Sequence, residues 1–167
     1  RAPFEGHTRT PWPGCSGSLD CSSDCLATKG SSVARHTLAP GAEVDVYNLH
    51  MEAGGCPEDY EVRAQSIQQL LVQMEERSGD VAVIMAGDWN LHPDDAQDLP
   101  QLQRLVDEGG LTDACWALDC GEEHIDRIFF RSSSAVTLEV GQWEVPPEFV
   151  DQEGAPMSDH EPVSATL

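Results

Sequence analysis

The stretch Val81-Ala82-Val83-Ile84-Met85-Ala86-Gly87-Asp88-Trp89-Asn90 decides how the rest of the chain is read. Its first six residues form a continuous apolar run of strand length, as expected of a strand covered on both faces. The run stops at Gly87, and a carboxylate and an amide follow at Asp88 and Asn90, where a parallel-type sheet presents its functional loops. Immediately upstream, Val62, Ile67, Leu70, Leu71 and Met74 recur at helical spacing between Pro57 and Arg77. Glu58 or Asp59 stands there as an N-cap or first-turn acid. Further upstream, Val33 to Leu38 and Val44 to Met51 alternate polar with apolar residues across the turn Ala39-Pro40-Gly41, which predicts a hairpin. Downstream, Leu102, Leu105 and Val106 predict a short helix ended by Gly109-Gly110. Ile125 to Arg131 and Val136 to Val145 predict strands, Pro146-Pro147 interrupts, and Pro162 to Leu167 supplies a last strand. The predicted order is β-β-α-β-α-β-β-β, an α/β chain with one core.

Residues 1–30 hold three prolines, several glycines and serines, and no apolar period, so they are expected to form a cysteine-containing loop region. Residues 31–167 carry the folded domain. Six cysteines, at positions 15, 21, 25, 56, 115 and 120, include no Cys-x-x-Cys pair, which argues against a zinc knuckle or a thioredoxin-like site. An even count in an acidic chain favours disulfides and an oxidising, secreted setting. A clasp among Cys15, Cys21 and Cys25 and another between Cys115 and Cys120 are expected from proximity, with connectivity open.

The 167 residues carry 30 Asp and Glu against 9 Lys and Arg, a net charge of -21, and Lys29 is the only lysine. Such a field repels polyanions unless metal ions or a local basic patch intervene. No stretch approaches the roughly 18 apolar residues of a membrane span. The acidic segment Asp94 to Asp98 lacks the glycine and distal glutamate of a calcium loop and is expected to be a solvated turn.

Polar groups stand at the predicted strand ends: Asn48 with His50, Asp88 with Asn90, Asp126, and Ser158-Asp159-His160. Each alone is ordinary turn chemistry. Asp126, however, shares a strand face with Ile128 and Phe130, and a carboxylate in such a place needs a partner. An Asp beside a His fixes its tautomer and stabilises the imidazolium, which makes His a competent general base near neutral pH. Asp126 and His160 are the candidate pair.

Asn48-Leu49-His50, Gly87-Asp88-Trp89-Asn90, Ile125-Asp126-Arg127-Ile128 and Ser158-Asp159-His160, in this order, resemble the endonuclease/exonuclease/phosphatase (DNase I-like) superfamily. Asp24 to Gly30 before a strand, with Ser158 to Val163, resembles the bacterial secreted sphingomyelinase branch. The resemblance implies a two-layer β-sandwich flanked by helices, of which this chain is about the C-terminal half, together with a divalent cation, Mg²⁺ foremost, and hydrolysis of a phosphate ester. It implies that His160 is the base, oriented by Asp126, and that Asp159 holds the metal. Asp88 positions the water, while Asn90, Asn48 and His50 donate to the phosphate. Trp89 is expected to pack rather than touch substrate.

The early Asn and metal-binding Glu of the family's first half have no counterpart before Ser31. Association with an N-terminal half is therefore expected, with one sheet face otherwise bare. A phospholipid headgroup is favoured over nucleic acid on charge, with a nuclease, or a binding module that kept the fold, as alternatives. Trp143 and Phe149 are expected to pack on the core; the competing expectation is a loop making transient contact with a membrane surface.

Overall fold

The computed structural model describes residues 3–19, 21, 23–120 and 124–167. Its main sheet has six strands: β1 (Phe4–Pro11), β2 (Gly30–Ala39), β3 (Ala42–His50), β4 (Ala82–Asp88), β5 (Thr112–Asp113) and β6 (Asp126–Arg131). Their spatial order is β1-β2-β3-β4-β6-β5. β1, β2 and β3 form an antiparallel meander, β3 and β4 run parallel, and β6 lies antiparallel between β4 and β5. The parallel pair follows from the helix α1 (Pro57–Ser78), which returns the chain to the starting edge. A separate ribbon pairs β7 (Gln142–Glu144) with β8 (Ser164–Thr166).

Helix α1 starts where its sequence provides a start. Pro57 occupies the first turn, where its missing N–H costs nothing, and Cys56 and Asp59 form a reciprocal cap. Val62, Ile67, Leu70, Leu71 and Met74 then bury one stripe. That stripe packs on Val33, Tyr47, Leu49, Val83, Met85 and Phe129, the alternate residues of four strands, to form a single core. Helix α2 (Leu99–Asp107) adds Leu102 and Leu105 to it.

Three charged pairs lie on this side, two of them fully buried and the third with its arginine partly exposed. Asp98 accepts from Arg63 Nε at 2.9 Å, and Arg63 also donates to the carbonyls of Glu52 and Gly54, which fastens the β3–α1 loop to the helix. Asp113 accepts from Arg127 at 2.5 Å while capping the short helix α3 (Ala114–Ala117). Asp45, fully buried, takes a two-pronged bond from Arg35 and a third from Ser78.

The hairpin, α1, the Val81 strand and the Ile125 strand lie where the sequence places them. Other elements differ. Residues 4–11 form a strand, not the expected loop: β1 is exposed along most of its length and is held by the backbone ladder to β2, so it carries no apolar period. Val136 to Val145 contributes only the three residues of β7, and β5 and α3 are too short to have a period. The bonds Cys15–Cys25 and Cys115–Cys120 fall within the expected clasps, and Cys21 reaches across to Cys56 at the start of α1. Trp143 and Phe149 do not join the core: Trp143 is half-buried against the His124 ring at 4.7 Å, and Phe149 is 52% exposed. On the sheet face opposite α1, Val44 and Phe130 are buried, Val46, Ile84, Ala86 and Ile128 are partly exposed, and Asn48 and His50 are exposed.

Candidate active site

The register of the sheet lines the polar strand ends up on the face opposite α1. Asp126 pairs with Asp88, Asp88 with His50, and His50 with Gly30. One residue pair further in, Ile128, Ala86, Asn48 and Ser32 form a second row on the same face, because side chains two apart along a strand share a face. The first row is brought close by Gly87: at its φ of 152° a Cβ would fall 2.0 Å from the Leu49 carbonyl oxygen, so only glycine fits beside β3. His50 Nε2 then stands 3.2 Å from Asp88 Oδ2.

His160 arrives from the segment before β8, and its Nδ1 lies 2.6 Å from Asp126 Oδ2. This bond leads in raising the His160 pKa above its ordinary value of 6.5, partial burial opposes it, and the charges of Asp126, Asp88 and Asp159 add to it. With Nδ1 committed to Asp126, Nε2 is the nitrogen left to take a proton. Ser158 shapes the turn by accepting from the His160 backbone N–H at 3.1 Å.

Asp88, Asp126 and His160 each bring a ligand atom within 4.8 Å of the others. Of these, the Asp88 carboxylate suits a hard divalent cation, which takes oxygen ligands, while Asp126 and His160 are committed to each other. Asp159 is exposed, and its carboxylate accepts from Ser158 at 3.4 Å; it lies in the field of His160 but outside that three-residue cluster. Asn48 is exposed on the same face, one amide N–H directed to the Ala86 carbonyl at 3.3 Å. Asn90 is 8% exposed and left-handed at φ 47°. Its backbone N–H donates to Asp88 Oδ1 and its side chain to the Met51 carbonyl, so one amide N–H remains available. Trp89 packs as expected: it is fully buried against Phe129 and donates to the Arg127 carbonyl.

Sequence reasoning missed the scaffold behind these groups. Trp12 Nε1 donates to the His50 carbonyl at 2.7 Å, and Lys29 bridges Asp24 to the Met51 carbonyl, at 2.6 and 3.0 Å. The isolated lysine beside Asp24 was the visible signal; Trp12, between two prolines, offered none.

A helix-backed mixed sheet carrying carboxylate–imidazole pairs at its strand ends defines a DNase I-like fold. The D. rerio TDP2 complexed with single strand DNA product superposes with a TM-score of 0.70 at 20% identity, over 98% of this chain and 67% of that one. Sphingomyelinase C from Streptomyces griseocarneus gives 0.63 at 18% identity, over 98% and 64%. The chain belongs to the Endonuclease/Exonuclease/phosphatase family, which residues 8–160 match. It is 34% identical over 160 residues to sphingomyelinases of Mycobacterium bovis and Mycobacterium tuberculosis, covering 86% of this chain and spanning 31% of those relatives' length.

Proposed function

We propose that the protein of which this chain is part is a divalent-metal-dependent phosphodiesterase acting on a phospholipid headgroup, secreted into an oxidising compartment. The observation that carries this reading is the 2.6 Å Asp126–His160 bond facing Asp88 on one sheet edge. A metal-holding Glu from an associated N-terminal half completes the site in this reading.

Each residue of the chain has a task. Asp126 holds the Nδ1–H of His160, so that Nε2 accepts the proton of the attacking water as its oxygen bonds to phosphorus and the ester oxygen leaves. Asp88 steadies His50 through their 3.2 Å contact, and His50 and Asn48 donate to the phosphoryl oxygens. The remaining N–H of Asn90 adds a donor from below. Asp159 and Asp88 would hold the cation, which when bound supplies positive charge against the developing phosphoryl charge. The mycobacterial sphingomyelinase likeness supports a lipid phosphodiester, as does a net charge of -21, which repels a polyanion. Exposed Phe149 is suited to brief contact with a lipid surface.

The test uses the full-length protein, stripped with chelator and reloaded with Mg²⁺, on vesicles of sphingomyelin or phosphatidylglycerol and on DNA. Mg²⁺-dependent release of phosphorylated headgroup is expected. Cleavage of DNA alone would assign a nuclease, and no hydrolysis of any of the three would assign a binding module.

A further inference from the structure

A cleft of about 780 Å³ opens between β1, β2 and β3, and Asn48 and His50 form one of its walls. Its chemistry runs against that of the rest of the molecule. In a chain with 30 acidic residues, the thirteen lining residues include no Asp or Glu and no Phe, Tyr or Trp, but do include Arg9, His7 and Lys29. The Lys29 charge is compensated by Asp24 at 2.6 Å. Arg9 is exposed, and its side chain has no hydrogen-bond or ion-pair partner among the described residues.

Register fixes which way Arg9 belongs. It pairs with Ser32, and Ser32 with Asn48, so Arg9 extends the second row of the catalytic face beyond its phosphate donors. One strand, β2, separates β1 from β3, which sets Arg9 roughly 10 Å from Asn48 along the row at the usual spacing of paired strands. The hydroxyl of Ser32 lies between them.

Resting on the reading of Asn48 and His50 as phosphate donors, we propose that this cleft is a subsite for a second anionic group of the substrate, with Arg9 as its anchoring cation. The consequence is a preference for a headgroup that bears a further phosphate over one that ends in a quaternary ammonium. A guanidinium matches phosphate in a two-pronged geometry. A quaternary ammonium needs an aromatic face or a carboxylate, and the cleft offers neither.

The experiment compares two lipids that differ only in the terminal phosphate, phosphatidylglycerol phosphate and phosphatidylglycerol, with sphingomyelin as a third, in mixed micelles with the Mg²⁺-loaded full-length protein. Wild type is expected to favour the terminal phosphate in kcat/KM. The ratio between the first two lipids falls about tenfold in Arg9→Ala and is largely restored in Arg9→Lys. Arg9 lies on an exposed strand, so Arg9→Ala is expected to fold, and Arg9→Glu gives a second variant in which the ratio falls further. A ratio that Arg9→Ala leaves unchanged, or a wild type that favours sphingomyelin, overturns the subsite while the phosphodiesterase reading stands. If no lipid is hydrolysed, that reading fails, and calorimetric binding of glycerol 1,3-bisphosphate decides the subsite alone. A Kd at least tenfold weaker in Arg9→Ala upholds it, and equal affinities overturn it.

Discussion

The two faces of the main sheet treat charge in opposite ways. On the helix side, Arg63 with Asp98 and Arg127 with Asp113 are at most 2% exposed, and the carboxylates also accept backbone N–H groups. On the other face the Asp126 and His160 side chains are 24% and 39% exposed, and His50 is 53% exposed beside Asp88. Burial makes a charge pair structural, since it cannot change partners without a large penalty. Partial exposure leaves a pair free to exchange a proton with a substrate. The contrast separates residues that hold the sheet from those that the proposed function gives a task outside it.

Breaking the sealed side gives the largest expected effect. Asp98→Ala strands the Arg63 guanidinium, and removing one partner of a buried pair costs about 3–5 kcal/mol. A denaturant midpoint within error of wild type would show that Arg63 finds other acceptors. The open side predicts the reverse pattern: His160→Ala in the full-length protein lowers the hydrolytic rate by about 10²–10⁴, while the melting temperature moves little. Unchanged hydrolysis would remove His160 from the mechanism, and a collapsed melting temperature would place it among the structural charges.

Legibility in the sequence follows the same division. The hairpin, α1 and the Val81 strand are readable because burial writes a period. The proposed site is visible in the sequence only as four short polar groups at strand ends, of which the sheet register brings Asp88, Asp126 and His50 together. β1 was not readable: its stability comes from backbone pairing at an exposed edge, which leaves no mark in side-chain hydrophobicity. The sealed pairs were equally hidden. Arg63 and Asp98, or Arg127 and Asp113, look like surface residues until the fold joins them across 35 or 14 positions.

Glu52 tests the intermediate case. It is 1% exposed on the loop after His50, its Oε1 accepts from the Ser16 backbone N–H, and no cation among the described residues is paired with it directly. Burial foremost, then the charge of Asp24, raises its pKa, and the Ser16 bond opposes this. An acid whose folded pKa is raised contributes its full stability at low pH and loses it as pH rises through the folded value. Glu52→Gln keeps an acceptor and removes the charge, so it is expected to stabilise the protein at neutral pH. The gain shrinks as pH falls below the ordinary glutamate value of 4.5. Melting curves across pH check this, and a uniform gain at every pH would trace it to packing instead.

The smallest effect sharpens the comparison most. Followed by NMR in the chelated protein, His160 should titrate above the ordinary 6.5, because Asp126 first, and Asp88 and Asp159 more weakly, favour the imidazolium. Asp126→Asn removes the leading cause and returns the titration toward 6.5. The sign has two consequences. A His whose folded pKa is raised adds stability below its ordinary value and loses that contribution as pH climbs through the raised one. In the proposed mechanism the base is the neutral imidazole, so hydrolysis is expected to grow over the same rise in pH that weakens the ion pair. If His160 titrates at its ordinary value with Asp126 intact, the 2.6 Å contact is not a charge-assisted bond, and the division between holding and acting charges loses its clearest case.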